Sequence, residues 1–414
     1  MKSKVLFAAL TPIATAVASV LVATNANAVL LSQCNDMGAS PTNGPDAVEV
    51  QCIDVTASDG HMKTGDGRDL YMFSFREVTI PDGVNLEAVL PEKGQLKAKF
   101  PASKIVGKEG SHLYLNLHNV GMMLRPDLPD AHTIHYHGFP EASTVFDGVP
   151  DVSVSPNSMA SMTYFYNLVE PGTYIYHCHF EASEHMQMGM IGNLWVTPKQ
   201  NELPNGTDLN GFTHQTDNTY VYNDGDGSTY YDVETPVQIT GFDGAFHDAS
   251  ENITFLPFAD MKDDYPMMNG RGYPDTVQPE GGNDANDIAL PGSPVVNADG
   301  FVSQDMSSLV EATSGQKILL RLTNVSIINA YTLTAPGLNM KIVGRGARIL
   351  RGQDGTDLFQ DGSQVTAAGG ETMEVIIDTA GVPPGTYFLY TTNLNYLSNY
   401  QEDNGGIMTE IRIN

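Results

Sequence analysis

The sequence predicts an all-β fold made of two tandem Greek-key β-sandwich domains. Short apolar stretches, often alternating with polar residues and bounded by Gly, Pro, Asn or Asp, recur along the chain, and long amphipathic helical patterns are absent from the sequence. This profile is typical of β-sandwiches. The 414 residues, 41% of them apolar, are enough for two or three domains with cores of their own.

Individual segments support the two-sandwich prediction in chain order. The clearest strand patterns lie at residues 112–118, 162–166, 193–196, 317–322 and 373–378. The tetrapeptide Pro-Gly-Thr-Tyr at residues 171–174 recurs at 384–387, and upstream the segment 115–120 recurs loosely as 320–325. Because both motifs occur in the same order twice, we interpret the chain as two copies of one sandwich.

The N-terminus has the pattern of a cleaved secretion signal. Lys2 and Lys4 precede an apolar stretch over residues 5–22, and Ala-Asn-Ala at 26–28 is typical of a signal-peptidase site. We therefore predict a signal peptide at 1–28 and a periplasmic or secreted protein. The predicted order continues with an N-terminal arm at 29–66, a first domain at 67–200, a polar boundary and a second domain at 215–414.

The charge and the cysteines limit the function classes. The formal net charge is −28, and loss of the two signal lysines takes it to −30. Nucleic acids and anionic membranes attract basic faces, so neither is an expected partner. Cys34 and Cys52 lie close together in the arm, where an oxidising compartment favours a disulfide between them. Cys178 then has no cysteine to pair with, and the residues next to it in the sequence indicate another role for its thiol.

Histidines surround Cys178 in two motifs of the first domain. Residues 132–138 are His-Thr-Ile-His-Tyr-His-Gly, and residues 177–179 are His-Cys-His. Side chains two apart in a strand share one face, so the thiol and its flanking imidazoles point to opposite sides. The thiol side can gather the ligands of a blue copper electron-transfer site, namely His132, Cys178, His185 and Met190. The other side gathers imidazoles suited to copper ions that bind oxygen species, namely His135, His137, His177 and His179.

These motifs closely resemble those of the multicopper oxidases, the family of laccases, ferroxidases and two-domain copper nitrite reductases. The resemblance covers residues from about 59 to 414, and only the motifs of the first domain are specific. It implies two cupredoxin-like domains and copper as the cofactor. The implied roles are type 1 ligands at His132, Cys178, His185 and Met190, a type 2 ligand at His135, and type 3 ligands at His137, His177 and His179.

The resemblance also implies a path for electrons and protons. Electrons would enter at the type 1 site and cross the backbone that Cys178 shares with His177 and His179. Asp147, in the segment Phe-Asp-Gly-Val-Pro, matches the acid that helps move protons to bound oxygen in the family. One departure is the loop from Cys178 to His185, which spans seven residues where five is the commonest spacing.

The second domain departs further from the family pattern. Superimposing the repeats sets Tyr331, Thr334 and Pro336 opposite the histidines of the first motif, and residues 390–392 opposite the His-Cys-His segment. The only histidines after residue 200 are His214 and His247. The second domain is therefore predicted to be free of copper, although a trinuclear cluster in the family draws histidines from two facing domains.

Three ways of completing the histidine site stay open. Two first domains could face each other across a two-fold axis. The hypothesis for a full cluster is therefore a homo-oligomer, and specifically a dimer rather than the trimer of two-domain relatives. A lone type 2 copper could be held by His135 and one or two of the other imidazoles. Alternatively, only the blue site could be loaded, as in an electron carrier.

Several other residues are expected to be structural. His118 is expected to be a strand residue satisfied by a local hydrogen bond. His61, His112, His214 and His247 are expected to be surface or loop histidines. Met186 and Met188 are expected to pack beneath the loop that carries His185. The acidic runs at 224–227 and 260–264 are expected to be solvated surface.

The sequence thus predicts an exported copper oxidoreductase that takes single electrons from a small-molecule or metal-ion reductant and passes them to oxygen. A blue copper electron carrier with an incomplete second site is the alternative. A nitrite-reductase-like enzyme is disfavoured, because the catalytic histidine expected in the second domain falls at or near Thr332.

Overall fold

The structure is a computed structural model that describes residues 48–81 and 83–414. The predicted signal peptide and Cys34 lie outside the described residues. Cys52 is disulfide-bonded, as a pairing in the arm predicts. Among the described residues, the regular elements are mostly β-strands, with three short α-helices, so the predicted all-β fold class is confirmed.

The first sandwich consists of two four-stranded sheets. One has the strand order β2-β1-β4-β6 and the other β3-β8-β7-β5. The strands are β1 (Val50–Lys63), β2 (Asp69–Val78), β3 (Ile105–Lys108), β4 (His112–Asn119), β5 (His135–Tyr136), β6 (Ser161–Asn167), β7 (Gly172–His177) and β8 (Ile191–Thr197). Two helices accompany them, α1 (Leu86–Gly94) and α2 (Ala182–Gln187).

The second sandwich follows two small hairpins. The hairpins pair β9 (Asp208–Leu209) with β10 (Phe212–Thr213) and β11 (Thr219–Tyr220) with β12 (Tyr230–Tyr231). Its first sheet contains β13 (Val233–Phe242), β14 (Tyr265–Met268), β16 (Lys317–Asn324), β18 (Met340–Arg345), β19 (Arg348–Ile349), β20 (Gln360–Gly362) and β22 (Thr372–Asp378). Its second sheet contains β15 (Val310–Ala312), β17 (Tyr331–Thr334), β21 (Gln364–Ala367), β23 (Gly385–Thr391) and β24 (Met408–Ile413). Helix α3 (Gly244–Glu251) follows β13.

The two sandwiches have the same connectivity. Strands β1 and β4 run parallel and β4 pairs antiparallel with β6, and the same relations join β13, β16 and β22. In the other sheets, β3-β8-β7-β5 corresponds to β15-β24-β23-β17. The internal repeat read from the sequence is therefore a repeat of topology. The residue bounds predicted for the two domains stay a prediction.

Each sandwich has its own core. In β4, Leu113, Leu115 and Leu117 are fully buried and alternate with side chains on the outer face, as a strand between a core and a polar layer requires. One cluster of buried side chains joins both sheets of the first sandwich and includes Cys178 and Met190. A second cluster joins both sheets of the second sandwich.

Polar contacts join the two sandwiches. Arg321 on β16 donates to Thr173 Oγ1 over 3.0 Å, and its guanidinium lies 4.7 Å from the centre of the Trp195 ring. Glu374 on β22 accepts a hydrogen bond from the Thr173 N–H over 2.9 Å. The sheet β3-β8-β7-β5 therefore packs its outer face on the second sandwich. Within residues 48–81 and 83–414, no helix has the length and apolar character needed to cross a membrane.

Candidate metal centres

The predicted thiolate ligands come together at one end of the first sandwich. Cys178 follows β7, and its Sγ lies 3.2 Å from His185 Nδ1 and 3.8 Å from His132 Nδ1. The three residues are at most 1% exposed. Met190 is also fully buried, and its carbonyl accepts the Cys178 N–H over 3.1 Å. This set of a thiol, two imidazoles and a thioether is the donor chemistry of a blue copper site.

Polar groups surround Cys178 Sγ and the two imidazoles beside it. The Thr133 N–H donates to Sγ over 3.5 Å. Burial by itself would lower the pKa of His185, but the Cys178 thiolate and then Asp130 outweigh it and raise that pKa to about 10. Burial lowers the pKa of His132 well below its ordinary value, and His185 adds to the effect. The group therefore contains one imidazole that is neutral near pH 7, His132, and one whose charged form is stabilised, His185.

The predicted imidazole ligands lie on the opposite face of the same strands. His135 on β5 pairs in register with His177 on β7. The donor atoms of His135, His137 and His177 lie within 4.8 Å of one another. The His179 ring packs edge-on against His135 with 4.8 Å between centres and stacks on His177 at 5.7 Å. The structure thus gathers all four predicted imidazoles, with three of them forming a compact donor group.

Backbone carbonyls orient the three donors. The Nδ1 atom of His135 lies 2.6 Å from the Asp147 carbonyl, that of His177 lies 2.7 Å from the Cys178 carbonyl, and that of His137 lies 3.1 Å from the Gly370 carbonyl. A carbonyl can only accept, so each Nδ1 carries the proton. The Nε2 atoms are left as acceptors, and such second contacts are what orient metal-binding histidines.

A cation fits between these Nε2 atoms. His137 Nε2 and His177 Nε2 lie 3.0 Å apart. With both Nδ1 atoms protonated, two lone pairs face each other there, and a shared cation would stabilise that contact. Burial lowers the pKa of His177 to about 3, so this ring is neutral and able to bind a metal near pH 7. The residues present therefore fit a copper ion held by imidazoles.

Asp147 lies beside the imidazole group, as the sequence predicts. Its carbonyl accepts from His135, and its carboxylate Oδ1 lies 3.5 Å from the same Nδ1. About a third of the carboxylate side chain is exposed. The position allows contact with both solvent and the group, and its catalytic role stays a prediction.

The second sandwich has other residues at the corresponding positions. Thr334 pairs with Tyr390 in the way that His135 pairs with His177, which agrees with the superposition of the repeats. Tyr331, the counterpart of His132, donates a short hydrogen bond to the buried Asp263. Among the described residues, every group of three or more side chains able to hold a metal lies between positions 130 and 185.

Sequence reasoning missed an acidic edge beside the thiolate group. Asp130, Glu181 and His185 have donor atoms within 4.8 Å of one another. His185 Nε2 is buried without a hydrogen-bond partner, and Asp130 Oδ2 lies 3.9 Å away. Burial raises the pKa of the neighbouring Glu184, and Glu181 and Asp130 add to the effect. Asp130 precedes the first motif by only two residues, but no periodicity marks it.

Two histidines outside the motifs are fully buried. His214 lies in the loop after β10, in line with the expected surface or loop position, whereas the same expectation for His247 is wrong, because it lies on α3. His214 Nδ1 lies 2.9 Å from the Tyr220 hydroxyl, and His247 lies on α3 against the first sandwich. Each ring has a hydrogen-bonding group beside it inside the fold, which sequence periodicity does not reveal.

Two other expectations agree with the structure. His118 is satisfied locally, because its Nδ1 lies 2.7 Å from Ser161 Oγ and its Nε2 lies 2.9 Å from Asp54 Oδ1. Met188 is buried in the first core and Met186 packs partly buried beneath the loop, as predicted.

The acidic runs are less exposed than expected. Asp224 is buried and accepts hydrogen bonds from the Gly227 and Thr229 N–H groups, while Arg351 pairs with Asp226. Asp263 is buried as well. These carboxylates stabilise loops of the second sandwich.

Comparison with known proteins agrees with this geometry. Residues 93–201 match the model of the family described as Multicopper oxidase. Similar solved structures include the blue copper oxidase from Nitrosomonas europaea, with a TM-score of 0.61, 20% identity, and coverage of 88% of this chain and 86% of that one. The multicopper oxidase mgLAC has a TM-score of 0.61 and 18% identity, with coverage of 89% of this chain and 87% of that one. The copper nitrite reductase from Nitrosomonas europaea has a TM-score of 0.53 and 14% identity, with coverage of 88% of this chain and 94% of that one. No curated protein sequence matches the chain.

The described residues form two sandwiches that share the fold of these solved structures. Both donor groups lie in the first sandwich, within the residues that match the multicopper oxidase model. The solved structures are at most 20% identical to this chain, so their similarity over the rest of the chain shows a shared cupredoxin-like fold.

Proposed function

We propose that the protein is an exported, periplasmic or secreted copper oxidoreductase that oxidises a reductant one electron at a time and reduces oxygen. One observation carries the proposal: a thiolate group and an imidazole group lie back to back, joined by the peptide bond between His177 and Cys178. When bound, copper would supply one-electron redox chemistry at the first group and oxygen reduction at the second.

The side chains prepare both groups for this chemistry. His132, Cys178, His185 and Met190 exclude water around the thiolate, since all four are buried. The carbonyls of Asp147, Cys178 and Gly370 hold the protons on Nδ1 of the second group. The backbone shared by His177 and Cys178 gives electrons a short covalent route between the two faces.

Asp147 is the proposed proton donor for the oxygen site. Its carboxylate is partly exposed and lies next to His135. A carboxyl in that position can take protons from solvent and deliver them beside the imidazole group. The role follows from position and from the family resemblance together.

The acidic edge favours a metal ion or another cation as the reductant. Asp130 and Glu181 lie beside the unpartnered Nε2 of His185, whose other nitrogen faces Cys178. Carboxylates attract cations such as Fe(II), and the net charge of −28 adds a long-range attraction. An electron from a cation held there would pass through the His185 ring to reach the thiolate group.

Replacing Asp130 tests the reductant. Asp130→Asn should raise the KM for Fe(II) about tenfold and leave the KM for a neutral phenol unchanged, because only the cation uses the carboxylate. Steady-state oxygen uptake with both reductants measures this, and Asp217→Asn, which replaces an exposed acid outside both donor groups, is the control. An equal change for both reductants would exclude the cation site.

Copper stoichiometry and oxygen uptake test the proposed function itself. The proposal predicts more than one copper per chain, a blue absorption band, and oxygen uptake with a phenol, Fe(II) or Cu(I). His137→Ala should lower oxygen uptake at least a hundredfold and leave the blue band unchanged, because His137 lies on the imidazole face alone. Electron paramagnetic resonance separates type 1 copper from type 2 copper in the same samples.

The ligand-free second sandwich favours one alternative, a blue copper electron carrier. That protein would bind one copper, show the blue band and take up no oxygen. Nitrite reduction, the reaction named for one structural relative, is the third possibility and is tested by replacing oxygen with nitrite in the same assay.

A homodimer in which two first sandwiches face each other is the proposed way to a full histidine cluster. Four imidazoles converge in one chain, so a two-fold axis would bring eight together. Native mass spectrometry of the copper-loaded protein measures this directly. A monomer with a single copper would exclude the dimer, and a trimer would leave the facing sandwich without ligands.

A further inference from the structure

We infer that the second sandwich positions the ligands of both metal centres without ligating either: His247 holds the loop of the thiolate group and Gly370 holds His137 of the imidazole group. The inference rests on the proposed function for the identity of the two centres. It assigns a role to a sandwich whose residues at the ligand positions are Tyr331, Thr334 and Tyr390.

Helix α3 packs into the first sandwich next to the thiolate group. Asp243 caps the helix by accepting the Phe246 N–H over 2.9 Å. Phe246 is fully buried and belongs to the core cluster that contains Cys178 and Met190. The Ser250 carbonyl at the other end accepts a short hydrogen bond from Arg125 of the first sandwich. The helix is therefore anchored along its whole length.

His247 lies in the middle of this anchored helix, between two carbonyls of the first sandwich. Its Nδ1 is 2.5 Å from the Tyr71 carbonyl on β2, and its Nε2 is 2.9 Å from the Gln187 carbonyl. Gln187 belongs to the loop that runs from His185 to Met190. A neutral imidazole has a single N–H. With that proton on Nε2, His247 donates to the Gln187 carbonyl and joins the ligand loop to the other sandwich.

The first sandwich holds the rest of this loop. The Met188 carbonyl accepts the Phe73 N–H over 2.9 Å, and the Gly189 carbonyl accepts from Ser74 Oγ over 3.1 Å. Of three consecutive carbonyls between two ligands, two are thus bound by β2 and one faces His247. A buried carbonyl without a partner costs about 1–3 kcal/mol, so the loop needs this ring to keep its course.

Gly370 makes the corresponding contact at the imidazole group. It lies in the turn between β21 and β22, and its carbonyl accepts from His137 Nδ1 over 3.1 Å. Its φ is +84°, and a Cβ there would lie 2.9 Å from His137 Cε1. The turn has to be glycine to approach the ring, and its carbonyl keeps the Nε2 of His137 free for a metal.

Two variants separate the two contacts. His247→Phe keeps the ring volume and removes both polar atoms, so we expect about ten- to hundredfold faster amide exchange of Met188–Met190 in the copper-free protein. The affinity of the thiolate group for copper should fall by a similar factor, and the electron paramagnetic resonance signal of type 1 copper should shift. His247→Gln should restore part of each change, because the amide NH2 can donate to the Gln187 carbonyl as the imidazole Nε2–H does.

Gly370→Ala should affect the imidazole group and leave the thiolate group unchanged, the reverse of His247→Phe. It should lower copper affinity at the imidazole group about tenfold and alter the type 2 resonance, while the type 1 resonance and the exchange of the ligand loop stay as in the wild type. Chelator competition and paramagnetic resonance measure both centres in each variant.

Matched controls separate positioning from loss of stability. His214→Phe replaces another fully buried histidine that contacts Tyr220 and neither metal group. Gly355→Ala has the same φ of +84° as Gly370 but no neighbour within 4 Å of the new Cβ. Both controls should leave the two centres unchanged.

The outcomes distinguish the inference from the proposed function. Wild-type exchange and resonance in His247→Phe, or equal changes in His214→Phe, would overturn the role of His247. Changes of both centres in Gly370→Ala would overturn the separate role of the turn. A wild-type protein that binds no copper would refute the proposed function instead, and loop exchange in the copper-free protein would still test the positioning by His247.

Discussion

Single side chains set the protonation of the metal centres. The His177 ring is nearly buried and neutral, whereas His185 faces the Cys178 thiolate and has a raised pKa. His247, which binds no metal in our proposal, is also held neutral, since burial lowers its pKa to about 4 against the opposing effect of two carbonyls. Burial and neighbouring charge decide each case.

The depressed pKa of His247 predicts a loss of stability in acid. An unfolded histidine titrates near 6.5, so below that pH the unfolded chain binds a proton that the folded protein excludes. The free energy of unfolding should fall by about 3 kcal/mol between pH 7 and pH 4 through this residue. Urea unfolding of the copper-free wild type and His247→Gln at both pH values measures it, and the variant should lose about 3 kcal/mol less. Equal losses would contradict the assignment.

The element that most depends on local backbone conformation is the segment from α2 to β8. Helix α2 begins after Glu181, which has a φ of +46°, and carries His185; Gly189, with a φ of +113°, then reverses the chain before Met190. The turn brings the Met190 carbonyl to the Cys178 N–H. A loop of this length therefore brings the His185 ring and the Met190 backbone to Cys178 despite its longer spacing.

Replacing Gly189 should disrupt that segment. A Cβ at Gly189 would lie 2.8 Å from the Phe73 carbonyl, so Gly189→Ala adds a backbone clash to the cost of a positive φ. We expect a loss of about 2–3 kcal/mol of stability and of the blue band, measured by urea unfolding and visible absorption. Gly206→Ala, with a φ of +86° and no neighbour within 4 Å, should cost about 1 kcal/mol and leave the band intact. Similar spectra for the two variants would contradict the prediction.

The whole molecule depends on the contact between its two sandwiches. Arg321 is 1% exposed, pairs with Glu234 at 2.9 Å, and packs on Trp195, the only tryptophan of the chain. Lys104 lies over the same ring at 4.0 Å. The intrinsic fluorescence of the single Trp195 therefore reports directly on the interface.

Removing Arg321 should loosen the interface. Arg321→Met leaves Thr173 without its donor and Glu234 without its ion pair, so we expect about 2 kcal/mol lower stability and a red-shifted Trp195 emission as water enters. Arg412→Met, which removes a pair between the partly exposed Arg412 and the partly buried Glu410, should change stability by less than about 1 kcal/mol and leave the emission unchanged. An unshifted emission in Arg321→Met would show that the interface does not depend on this side chain.

The strands and the two histidine motifs could be predicted because their signals are local. Residues 112–118 alternate, and they form β4 with Leu113, Leu115 and Leu117 in the core. A period of two also separates Cys178 from His177 and His179, which lie on opposite faces in the structure. Burial of His214 and of Asp224 could not be predicted in this way, because both lie outside strands and contact Tyr220 and Gln200 in other segments.

The sequence by itself determined the all-β class, the repeat and the residues of the two donor groups, since strand periodicity and ligand chemistry are properties of short segments. Only the tertiary structure decided that His247 faces the ligand loop and that Gly370 faces His137. These contacts join residues 60, 176 and 233 positions apart. Nothing in the local pattern of α3 or of the β21–β22 turn marks them, because they arise from the packing of one sandwich on the other.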